Sequence, residues 1–170
     1  MKAFLAPFAL TAALALAEGA AAQGPAVALA VSGWESHERD GITYYRCASS
    51  ICAAGSVVSY KKQPHRPTLT LADFEGHHRG LVEQNKGRGR IRDVRLADVR
   101  ERTIEGVRVM QARREVDWAD GTATYTIEAR LIGPKSSYSL VSDSPGRDWT
   151  SNNFEGFLPR LVDFALLRTP

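Results

Sequence analysis

Between Ala123 and Leu131 every second residue is apolar or aromatic: Ala123, Tyr125, Ile127, Ala129 and Leu131 alternate with Thr124, Thr126, Glu128 and Arg130. A period of two puts these sets on opposite faces of a strand, the first buried and the second toward solvent. This stretch therefore commits the chain to a sheet. Asp120-Gly121 just before it favours positive φ and predicts a hairpin turn, so the preceding strand, containing Val109 to Trp118, is its antiparallel neighbour. Gly133-Pro134 turns the chain again into a strand over Ser137 to Ser142. Ile91 to Val99 and Thr103 to Met110 are less regular, with a bend expected at Glu105-Gly106. From Ile91 to Val141 the pattern predicts antiparallel strands with no helix between them.

Upstream, Trp34 to His37 and Ile42 to Cys47 flank Glu38-Arg39-Asp40-Gly41 and predict a further hairpin. Ser56 to Tyr60 is β-branched and aromatic, and stops before Pro64 and Pro67. The period then changes. Thr70 can cap a helix, with Asp73 approximating a capping box in which Glu or Gln is the better fit, and Leu71, Phe74, His78, Leu81 and Val82 share one face. That helix ends near Asn85-Lys86-Gly87. A second amphipathic helix carries Phe154, Phe157, Leu158, Leu161, Phe164 and Ala165 on one face, with Pro159 predicting a kink or a late start. Two apolar helix faces and one sheet define an α+β fold, an antiparallel sheet with two helices packed on it.

The first residues have a different character. Met1-Lys2, an apolar run from Ala3 to Ala17, and small residues at Ala20 and Ala22 are the features of a secretory signal peptide over residues 1–22. The run is shorter than the roughly 20 residues needed to cross a bilayer, which favours cleavage over a retained anchor. Residues 23–32 form a flexible lead-in, and 33–170 a single domain. No later segment is apolar enough to span a membrane, and with Cys47 as the first cysteine a lipid anchor is not expected. An exported chain meets an oxidising compartment, where Cys47 and Cys52 are expected to pair. Their spacing is longer than the Cys-x-x-Cys of redox sites. A formal charge of +3 is too mild to argue for nucleic acid.

The order of hairpin, helix, antiparallel meander and helix, with Tyr138-Ser139-Leu140-Val141-Ser142-Asp143-Ser144-Pro145 leading to Phe154-Glu-Gly-Phe-Leu158, resembles the PsbP/Mog1-like superfamily. The resemblance covers roughly Trp34 to Leu167 and rests on element order. It implies an α/β/α sandwich and a non-catalytic accessory or binding role, and it transfers no ligand residues.

Candidate chemistry is sparse. Asp73 and His77 stand at i, i+4 on one helix face, a spacing suited to two metal ligands or to an ordinary solvated pair. A metal site needs further ligands, and whether His37 or His65 supplies one is not legible locally. His78 points into the apolar stripe as a core histidine. The chain has no nucleophile elbow, Walker loop, His-Glu-x-x-His pair or Rossmann fingerprint, so no cofactor is expected. On extended backbone Lys86, Arg88, Arg90 and Arg92 would point to one side, a cationic ridge for a polyanion such as lipopolysaccharide or phospholipid headgroups. A soluble, charged loop is the plainer alternative. Trp118, Trp149 and Tyr44-Tyr45 suit either a cleft or the core. The sequence thus points to a periplasmic or secreted binding or accessory protein whose envelope partner is unidentified. The alternative is a small envelope hydrolase or metal-dependent enzyme using His77 and Asp73.

Overall fold

A computed structural model describes residues 32–167 of the 170. The expected leader and almost all of the lead-in lie outside the described residues. Strands β1 (Trp34–Arg39) and β2 (Ile42–Cys47) form the first hairpin. Its turn residues Asp40 and Gly41 have φ of 54° and 69°, and this pair of positive values matches the right-handed twist of the flanking strands. Cys47 and Cys52 are disulfide-bonded, and the chain then enters β3 (Val57–Gln63).

Helix α1 (Leu71–Asn85) starts at the expected cap. The Thr70 hydroxyl accepts the Asp73 N–H at 3.1 Å, and the Asp73 carboxylate accepts the Thr70 N–H at 3.2 Å, which satisfies two otherwise orphaned donors. The next strands are longer than their sequence suggests. β4 (Ile91–Ile104) and β5 (Val107–Trp118) run 14 and 12 residues, and Glu105-Gly106 is a two-residue hairpin turn rather than a bend. Register shifts near Ile91 and Leu96 in β4 break the alternation and hide the strand from a periodicity argument. β6 (Ala123–Ile132), β7 (Ser137–Ser144) and α2 (Arg147–Leu167) complete the order. Helix α2 begins at Arg147, so Pro159 lies inside it, where a late start was one of the expectations.

The seven strands make one antiparallel sheet in the order β1-β2-β3-β7-β6-β5-β4. α1 carries the chain from β3 to the far edge at β4, and the meander returns until β7 lies beside β3. The helices take opposite faces. On one, Phe154, Phe157 and Leu161 of α2 pack on Tyr45, Val58, Leu131 and Leu140. Each fully buried Phe or Leu contributes about 1.5–3 kcal/mol, so this layer holds most of the apolar stabilisation. On the other, Phe74 of α1 packs on Met110, Ala112 and Ile132. Val109 and Met110 are adjacent in β5 yet enter different clusters, as strand alternation requires. Because α1 covers part of the second face, the set expected in solvent is not fully there: Thr126 is buried, and Glu128 and Arg130 are half-buried. No helix among the described residues is long and apolar enough to cross a membrane.

Candidate functional site

α1 packs on β4 and β5, whereas α2 spans β5, β6 and β7 on the opposite side. Among the described residues, the α1-side face of β1, β2, β3 and β7 is therefore left without a helix. Registers place Tyr44 and Arg46 of β2, Ser59 and Lys61 of β3, Ser139 and Val141 of β7, and Arg130 of β6 on this face. Their neighbours Tyr45, Val58, Tyr60 and Leu140 point the other way, under α2, and are buried.

Two recesses lie along the open face. One lies at the β1–β2 end, lined by His37, Arg39, Tyr44 and Arg46 among others, with the His37 and Tyr44 rings stacked 5.1 Å apart. The other is a cavity of about 360 Å³ between the sheet, the 64–69 loop and α1. Gln63, Arg66, Asp73, His77 and Arg130 give it polar groups, and Pro64, Leu69 and Phe74 give it apolar walls.

Cations with and without a carboxylate partner both occur on this domain, and elsewhere Lys62, Arg88, Arg113 and Lys135 are also without one among the described residues. Arg79, Arg95, Arg102, Arg108 and Arg147 each bind a carboxylate. Among the described residues, the side chains of Arg46, Lys61, Arg66 and Arg130 enter neither a salt bridge nor a hydrogen bond. Burial holds the Arg130 guanidinium below its ordinary value; the nearby Glu128 opposes this, and the charge of Arg66 adds to it.

Beneath α1 runs a polar chain that sequence reasoning did not connect. Arg114 Nη2 donates to Glu128 at 3.0 Å, and Arg114 Nη1 lies 3.1 Å from His78 Nδ1. Burial pushes His78 down to about 4, with Glu128 opposing that shift and Arg114 reinforcing it. Beside it the Thr126 hydroxyl donates to Asp143 at 2.5 Å, while burial raises the Asp143 carboxyl above its usual value.

The residues singled out from sequence are distributed as follows. Asp73 and His77 both line the α1 cavity, but the Asp73 carboxylate also accepts the Thr70 hydroxyl at 2.6 Å, and its capping bonds hold its pKa below the usual value. His37 stacks on Tyr44, and His65 Nδ1 contacts the Ser137 hydroxyl at 3.1 Å. Among the described residues no group of three His, Cys, Asp or Glu side chains is placed to hold a metal ion. The extended ridge does not form: residues 86–90 are turns, with φ of 69° at Gly87 and 60° at Gly89. Lys86 pairs with Asp93, Arg90 with Asp120 and Arg92 with Asp117, so the hairpin carboxylates draw three of the four cations apart. Trp149 is exposed, Tyr45 is core, and Trp118 donates to the Thr124 hydroxyl.

No protein-family model matches the chain, and no curated protein matches it. The class defined by fold and site is thus that of an α+β domain with one sheet face half open and lined by unpaired cations.

Proposed function

We propose that the domain is an exported, non-enzymatic binding or accessory protein that takes an anionic component of the cell envelope on the open face of its sheet. The PsbP/Mog1-like element order supports such a role, and the disulfide suits an oxidising compartment. The observation that carries the reading is the set of cations Arg46 and Lys61 on the part of the sheet that α1 leaves open, with Arg66 and Arg130 where it borders α1; among the described residues none of the four has a carboxylate partner. Cations already bonded to a carboxylate must give up that partner to meet a ligand, whereas these four need not.

Retention on a sulfated polysaccharide matrix tests the proposal. Retention should weaken as salt rises, because exposed charges are screened over roughly 8–10 Å at 0.1–0.15 M. Arg46→Glu with Lys61→Glu should elute at markedly lower salt, while Arg88→Glu with Arg90→Glu should elute nearer the unaltered protein. The opposite order would transfer the contact to the 86–92 segment and remove the open face from consideration.

A further inference from the structure

The cavity beside α1 differs from the rest of the open face because it joins two unpaired guanidinium groups to an apolar wall. Arg66 stands on the exposed loop and Arg130 on the sheet floor, near enough that the charge of one acts on the other. Among the described residues no carboxylate bonds to either of them, and Asp73, the acid of the described lining, has its carboxylate bonded to Thr70. The Gln63 amide donates to Ser139 at 2.9 Å, which fixes that side chain at the floor. Two neighbouring guanidinium groups with no carboxylate bonded to either among the described residues form a site whose electrostatics improve when an oxyanion enters. The exposed ring of His77 can add a further N–H, while Phe74 and Leu69 offer surface to a non-polar body.

We infer that this cavity is a binding site for a small organic anion, an oxyanion group carried on an apolar body, with Arg66 and Arg130 clasping the oxyanion and Phe74 and Leu69 receiving the body. The cavity's 360 Å³ falls within the size range of small-molecule sites. The inference rests on the reading of the open face as a binding surface and narrows it to one ligand class.

Calorimetric titration with phenyl phosphate, inorganic phosphate and benzyl alcohol tests both halves. Phenyl phosphate should bind saturably at one site and more tightly than either of the others. Arg66→Gln and Arg130→Gln should each weaken it about tenfold or more, and Arg88→Gln should leave it unchanged. Arg66 is exposed, so its variant keeps the test valid even if the half-buried Arg130 variant folds poorly. Equal affinity for inorganic phosphate would remove the apolar half of the inference. Absent binding, or binding indifferent to both arginines, would overturn it outright. Phenyl phosphate binding without polysaccharide retention would sink only the broader proposal, and retention without phenyl phosphate binding would sink only this one.

Discussion

Arg114 Nη1 lies 3.1 Å from Nδ1 of the fully buried His78, and because a guanidinium can only donate, His78 must be neutral with its proton on Nε2. No protein group meets that Nε2 proton among the described residues. A second proton on the ring would face Arg114 directly, so the fold opposes His78 protonation. Burial lowers the His78 pKa from its ordinary 6.5 to about 4 in the folded chain. Between those values the unfolded chain binds more protons, so His78 makes stability fall as pH drops through the window, by up to about 3 kcal/mol. His78→Gln keeps an acceptor for Arg114 and cannot titrate in this range. Urea unfolding should therefore show a shallower loss from pH 6.5 to 4 in that variant, and equal slopes would refute the assignment.

Asp143 should behave in the opposite sense. Burial raises its folded pKa, so the folded chain holds a proton more readily and this residue favours folding as pH falls through that raised value. Asp143→Asn removes the charge and still offers an oxygen to the Thr126 hydroxyl. At neutral pH it should match the unaltered protein or exceed it by about 1 kcal/mol. A loss of stability of that size in chemical denaturation would show that the charge itself is needed.

Two glycines give a matched pair of outcomes. A Cβ on Gly133 would stand 2.4 Å from the Ala165 carbonyl oxygen, where the β6–β7 turn touches the backbone of α2. Gly133→Ala should cost about 1–3 kcal/mol, since one of the two backbones must move. Gly76 lies inside α1 with nothing within 4 Å of the same position. Gly76→Ala should raise stability by about 0.5–1 kcal/mol through helix propensity alone. Thermal melts of both variants would check the contrast, and shifts in the same direction would contradict it.

Most elements were legible because their signals are local. Asp40-Gly41, the Thr70–Asp73 capping box and the alternation from Ala123 to Leu131 each act within a few residues; the turn, the cap and the strand all formed, although Thr126 on the strand's outward side is buried. Errors arose where long-range contacts decide. The register shifts of β4 come from pairing with β5, and the turn at residues 86–90 places Lys86, Arg90 and Arg92 beside carboxylates of β4 and the β5–β6 hairpin. The open face could not be found locally, because it depends on β3 lying beside β7, some 80 residues further along, and on α1 keeping to the β4–β5 side. Arg130 did carry a signal, as one of the polar residues in the alternating strand. Which of those residues a helix would shelter required the sheet order.

The larger core is closed by α2, since among the described residues Tyr45, Val58 and Leu131 are covered by its residues Phe154 to Ala165. A nascent polypeptide lacking that helix holds a bare greasy plane. Closure of that core thus waits until α2 has been made, so the cover arrives after the surface it shields.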